Sequence, residues 1–225
     1  MKKIKKLILQ TLQTVIAAAC VSSSASLMQS RKWVSNMTKA IILVGVGGQG
    51  TITTSTILSK GLIEKGYDVK MSEIHGMSQR GGTVVTQIKY GDKVYSPIVG
   101  EGEADLIVSF EKIEAVRAIP YLKEGGAVIT DTREILPMPV LTGAAEYPTD
   151  AIDELKKVVP NVFVVDAYKV AEELGNVKAQ NIVLLGALVK QLGLGDVDWK
   201  GLIAKNVPEK LVDLNLNAFE KGYQM

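Results

Sequence analysis

Two short clusters carry the residue types that could do chemistry. The first is Gly45-Val46-Gly47-Gly48-Gln49-Gly50, followed by Thr51. Gly45, Gly47 and Gly50 stand in a G-x-G-x-x-G spacing, which lets a backbone turn sharply or come close to a ligand. The unpaired N–H groups of a helix start, beside the Thr51 and Thr53 hydroxyls, would suit an anion such as a phosphate. The second is Glu73-Ile74-His75-Gly76-Met77-Ser78-Gln79-Arg80-Gly81-Gly82. It adds an imidazole (His75), an amide (Gln79) and a cation (Arg80). With Gln49, the set suits a phosphate, a carboxylate or a partner's backbone. Glu73 lies 23 residues after Gly50, where an acid would hold the ribose of a dinucleotide. A stand-alone nicotinamide- or flavin-dependent oxidoreductase is therefore a rival reading. Plainer roles stay open: a tight packing turn, a locally bonded histidine, a structural ion pair at Arg80.

His75 is the only histidine, and no Ser/His/Asp constellation accompanies it. Asp131 and Asp166 end apolar runs without a further signature. Lys112 and Glu114 read as a solvated helix face.

The elements that must position these clusters alternate strand and helix. Ile41 to Val44 is an apolar run of the kind that forms a buried parallel strand, and it enters the glycine loop directly. Residues 51–65 carry helical spacing and stop at Gly66. Tyr67 to Ser72 reads as strand two, which puts the 73–82 loop at its carboxyl end, beside the 45–50 loop. Thr83 to Tyr90, a Gly91-Asp92 turn and Lys93 to Ser96 read as an antiparallel hairpin. Further strands are expected at 104–109, 127–130 and 162–165. Helices are expected at 111–122, 151–159, 168–174, 181–192, 199–206 and 209–221, with an extended crossing segment at 132–149. The pattern predicts an α/β, Rossmann-like, doubly wound single domain with a mostly parallel sheet and one antiparallel hairpin.

The chain has 225 residues and a formal net charge of +2. Residues 1–36 hold six basic residues and no acid, leaving 20 basic against 24 acidic residues in 37–225. An acidic body without basic runs argues against nucleic acid. The single cysteine, Cys20, rules out an internal disulfide framework, a thiolate iron–sulfur cluster and a His/Cys zinc site. Redox centres, if any, belong to another chain.

Residues 1–36 contain no glycine and begin Met1-Lys2-Lys3-Ile4-Lys5-Lys6. That resembles the basic start of a signal peptide, with 7–19 as an interrupted apolar region. The region is too short and polar to span a bilayer. The expected organisation is an extension over 1–36, signal-like or non-native, before a domain at 37–225 that starts naturally at Met37. A cytoplasmic protein without a membrane partner is expected.

From Met37 onward the sequence resembles the gamma-type subunits of 2-oxoacid:ferredoxin oxidoreductases. The match is carried by GVGGQG at 45–50, EIHGMSQRGGTV at 73–84, SPIVGEGEADLIVSFEKIEAVRAIPYLKEGG at 96–126, AQNIVLLGALVKQLGL at 179–194 and the closing NLNAFEKGY. The HGMSQRGG form is similar to the small (beta) subunits of the indolepyruvate branch. The resemblance implies oxidative decarboxylation of an aryl pyruvate to an acyl-coenzyme A, with electrons passed to ferredoxin, in aromatic amino-acid catabolism. It implies that thiamine diphosphate, Mg and 4Fe-4S clusters sit on a large alpha subunit, with coenzyme A as co-substrate. It also implies that Gly45, Gly47, Gly48, Gln49, Gly50, Thr51, His75, Gln79 and Arg80 face coenzyme A or the partner, with no catalytic residue assigned to this chain.

Overall fold

Strand β1 (Lys39–Val46) is buried on both faces, and its side chains divide between two cores. Ile41 and Leu43 join one apolar cluster; Ala40, Ile42 and Val44 join the other. Successive strand residues point to opposite faces, so only a strand sandwiched by helices needs an unbroken apolar run. The computed structural model describes residues 38–76 and 81–225, and the proposed extension over 1–36 lies outside them.

The other strands are β2 (Asp68–His75), β3 (Thr83–Gly91), β4 (Ala104–Ser109), β5 (Leu122–Asp131) and β6 (Asn161–Val165). They form one six-stranded sheet in the order β2-β3-β1-β4-β5-β6. Pairings β1–β4, β4–β5 and β5–β6 are parallel; β1–β3 and β2–β3 are antiparallel. One face is covered by α1 (Thr51–Glu64), α5 (Ala167–Glu173), α6 (Gln180–Leu192), α7 (Trp199–Asn206) and α8 (Val212–Gln224). The other is covered by α2 (Lys112–Ala118) and α4 (Ala151–Val158), with the short α3 (Met138–Leu141) in the crossing segment. The result is the expected α/β single domain with a mixed, mostly parallel sheet.

Three details differ from expectation. The antiparallel hairpin is β2–β3, joined by the 76–82 loop, while residues 92–99 form no strand. The Gly91-Asp92 turn leads away from the sheet instead, and Asp68 holds it by accepting a hydrogen bond from Val94 N at 2.9 Å. The expected helix over 111–122 ends at Ala118 in a 3-10 turn, Ile119–Tyr121, where Pro120 supplies no N–H. Leu122 then starts β5, so Gly125, at φ 72°, lies inside a strand.

Helix α6 is buried from Gln180 to Val189, and α8 crosses it where both chains have glycine. A side chain on Gly222 would overlap Val183 O, and one on Gly186 would overlap Phe219 O. Only missing Cβ atoms permit that approach. Trp199, Phe219 and Tyr223 stack beside it, and the Trp199 indole donates to Leu194 O at 2.6 Å.

Candidate functional site

β1 ends in the glycine loop, and the loop's own side chain fills the space beside it. Gln49 is buried. Its Oε1 accepts from Val46 N at 2.6 Å, and its Nε2 donates to Phe110 O at 2.7 Å. A Cβ on Gly45 would meet Gln49 Oε1 at 2.9 Å, Phe110 Cβ at 3.0 Å and Thr51 Cγ2 at 3.2 Å. Gly50 lies at φ 81°, and a Cβ there would meet Asn181 Nδ2 at 2.5 Å. These glycines make room for the chain itself. Gly48 is different: it is exposed, at φ 100°, with nothing within 4 Å of a Cβ.

Thr51 is buried and opens α1 without a side-chain cap or an acid in the first turn. Thr54 N is the first to donate back, to Gly50 O at 3.1 Å. The helix therefore begins with uncompensated positive dipole.

The two loops do lie side by side. Gly47 N donates to Gly82 O at 2.8 Å. His75, Val84 and Gly45 are in register across β2, β3 and β1, which sets His75 two strand spacings, about 10 Å, from the glycine loop. His75 is exposed, with Nδ1 3.3 Å from Gly76 O. Gln79 and Arg80 lie outside the described residues.

This order of strands weakens the nicotinamide or flavin reading. β3 separates Glu73 from β1, because Glu73 pairs with Thr86 and Thr86 with Leu43. In a dinucleotide fold the acid stands on the strand next to β1. β1 continues into α1 on one face and β4 into α2 on the other, so the switch point lies between them. A dinucleotide would enter that crevice. Here Gln49 spans it to Phe110.

Polar residues missed in the sequence lie along the same carboxyl edge. Gln180, at the start of α6, donates through Nε2 to Phe110 O at 2.8 Å and to Asp131 Oδ2 at 2.7 Å. Its Oε1 accepts from Arg133 Nη1, and the Arg133 guanidinium lies 4.3 Å from the Tyr168 ring centre. Asp131 Oδ2 also accepts from Tyr168 N at 3.0 Å, and Oδ1 from Arg133 N at 3.3 Å. Burial pushes the Asp131 carboxyl up to about 6, against the pull of these donors. Gln180 opens an otherwise apolar helix, and the amide pair Gln180-Asn181 at its start was the available signal.

Lys112 and Glu114 are buried, not a solvated face. Lys112 Nζ reaches Glu134 and donates to Thr149 O at 3.2 Å, tying the crossing segment to α2. Glu111 caps α2, accepting from Ile113 N at 2.7 Å and Glu114 N at 3.0 Å, and Tyr147 donates to it. Burial first, then Glu111, raises the Tyr147 hydroxyl. Burial also raises Glu114, whose Oε1 meets Arg117 and Thr83. Among the described residues, no group of three or more His, Cys, Asp or Glu could hold a metal, and no helix is long and apolar enough to cross a membrane.

Comparison with known proteins agrees with this geometry. Residues 40–225 match the family described as pyruvate ferredoxin/flavodoxin oxidoreductase. The indolepyruvate oxidoreductase subunit IorB of Thermococcus kodakarensis is 45% identical over 189 residues, covering 81% of this chain and 93% of that protein. Its counterpart in Archaeoglobus fulgidus is 41% identical over 187 residues, covering 81% and 92%. The crystal structure of a keto/oxoacid ferredoxin oxidoreductase gamma subunit from Geobacter sulfurreducens superposes with a TM-score of 0.61 at 24% identity, covering 83% of this chain and 96% of that one.

Proposed function

The chain belongs to the pyruvate ferredoxin/flavodoxin oxidoreductase family, and from that premise we propose that it is the small subunit of a thiamine-dependent indolepyruvate:ferredoxin oxidoreductase. The observation that carries this reading is the 45% identity to a curated small subunit across 93% of its length. The assembled enzyme oxidatively decarboxylates aryl pyruvates, captures the acyl group on coenzyme A and passes two electrons to ferredoxin. A large alpha subunit holds thiamine diphosphate, Mg and the 4Fe-4S clusters, and the complex works in the cytoplasm. The lone cysteine of this chain, Cys20, supports that division, since such clusters want about four thiolates.

The loops at 45–50 and 76–82 are this chain's contribution to the shared site. The backbone N–H groups around Gly47, Gly48 and Gly50, the start of α1 at Thr51, and His75, Gln79 and Arg80 face coenzyme A or the large subunit. Gln49 supports that surface from behind. The surface has two chemical jobs: holding an anionic group against a helix dipole, and keeping water from the reacting acyl group.

Co-expression with a thiamine-binding large subunit tests the reading. Ferredoxin reduction should be faster with indolepyruvate than with pyruvate, 2-oxoisovalerate or 2-oxoglutarate. Preference for a small aliphatic 2-oxo acid, or activity of this chain alone with NAD, would overturn it. Arg80→Ala tests the loop. A coenzyme A KM and a subunit affinity both equal to wild type would remove Arg80 from the site.

A further inference from the structure

The Phe110 carbonyl is gripped from both sides. Gln49 Nε2 reaches it from the glycine loop at 2.7 Å, and Gln180 Nε2 from α6 at 2.8 Å. Both amides, Phe110 and Asp131 are buried. The orientation of Gln180 is forced. Its amide nitrogen faces two acceptors, Phe110 O and Asp131 Oδ2, while its oxygen faces Arg133. A flip would set oxygen against both acceptors and the NH2 against a guanidinium. The network therefore links Asp131 to the glycine loop: Gln180 Nε2 donates to Asp131 and to Phe110 O, Gln49 Nε2 donates to the same carbonyl from the other side, and Gln49 Oε1 accepts from Val46 N.

Asp131 terminates this network. Its two oxygens receive three N–H donors: Gln180 Nε2 and Tyr168 N on Oδ2, and Arg133 N on Oδ1. The carboxylate accepts all three with the added strength of its charge, which a proton on either oxygen removes. The charged and titratable groups around it are Arg133, Tyr168, Asp166 at the start of α5, which accepts from Thr132 Oγ1 at 2.7 Å, and Lys112, whose backbone N donates to Arg133 O at 3.1 Å.

We infer that Asp131 and Gln180 are positioning residues for the glycine loop: the ionised Asp131 orients Gln180, which holds the Phe110 carbonyl where Gln49 grips it, and so fixes the 45–50 backbone. Neither residue touches the surface that the loop presents. The elevated Asp131 carboxyl makes the device titrate near neutrality, with the loop ordered above that range and loosened below it. Its effect on coenzyme A rests on the function proposed above; its effect on the loop does not.

Hydrogen–deuterium exchange on the assembled complex tests it, comparing wild type, Asp131→Asn and Gln180→Leu at about pH 5 and about pH 7.5, corrected for intrinsic rates. A charge-assisted bond lost from the network should cost about tenfold in protection of the amides from Val46 to Thr51. Wild type should lose that protection on acidification, Asp131→Asn should show the low value at both pH values, and Gln180→Leu should no longer respond to pH. Wild-type pH dependence retained in Gln180→Leu, or a loop as protected in Asp131→Asn as in wild type, overturns the inference. Gln180→Leu keeps the carboxylate and replaces only the amide, so it decides the matter alone if Asp131→Asn does not fold. The coenzyme A KM, measured alongside, separates the two readings. A loop that responds while the KM stays flat leaves the inference standing and removes coenzyme A from the loop.

Discussion

Glycine builds two regions of this molecule, and it is used for opposite ends. At the crossing of α6 and α8, Gly186 and Gly222 give up their side chains so that two helix backbones can touch. In the loop after β1, Gly45 and Gly50 also give up space, but to the side chains of Gln49 and Asn181. Gly48, by contrast, leaves its space empty. A glycine motif thus says where a side chain is forbidden, not what takes its place. In this loop most of the vacated room is filled from within, and what remains for a partner is a rim of backbone at Gly47 and Gly48.

The largest effect expected is at the crossing. Gly222→Ala drives a methyl into the Val183 carbonyl, between two backbones that have no rotamer to give. A loss of about 4 kcal/mol, or a chain that does not fold, is expected in chemical denaturation. A loss below about 1 kcal/mol would show that the helices can separate, and the contrast with the loop would collapse.

The next effect tests the loop's distant anchor. Asp131 has its folded-state value raised above its unfolded one, so the native state holds the extra proton. That contribution is fully present below about pH 4 and is lost as pH rises through about 6, by at most about 3 kcal/mol. Asp131→Asn should flatten this part of the stability profile, measured by urea unfolding at several pH values. The contribution of Asp131 to stability and the order of the loop then move in opposite directions with pH, which no general acid denaturation would produce.

Gly50→Ala combines a left-handed backbone with a contact to Asn181, and about 2–3 kcal/mol is expected. Gly48→Ala meets only the backbone penalty, about 1 kcal/mol. Its informative readout is the assembled complex. If the loop rim meets coenzyme A or the large subunit, the KM or the subunit affinity should worsen several-fold despite a small change in melting temperature. Unchanged kinetics and assembly would reduce the whole loop to a packing turn.

Much of the frame was legible because it rests on local pattern. The unbroken apolar run of β1 required two covered faces, the Ala104–Ser109 strand and the Trp199–Asn206 helix fell where their periodicity put them, and the 45–50 and 73–82 loops were expected as neighbours. The hairpin was misplaced for a physical reason. Gly91-Asp92 has turn chemistry, but the segment after it finds no free edge on β3, which is already paired on both sides, with β1 and β2. Lys112 and Glu114 were misread because their helix is short and their burial comes from distant segments: Glu134 and Thr149 of the crossing segment meet Lys112, and Thr83 of β3 meets Glu114.

The sequence by itself determined the alternation of elements, the absence of thiolates for redox centres, and a family match carried by several motifs at once. These depend on residue type and spacing along the chain. Tertiary structure decided that β3 intrudes between β1 and β2, that Gln49 occupies the crevice a dinucleotide would need, and that Asp131 and Gln180 stand behind the loop. Those outcomes depend on which distant segments meet at one sheet edge. The contacts from Gln49 to Phe110 and from Gln180 to Asp131 span 61 and 49 residues, and no periodicity in a single chain encodes a bond across that distance.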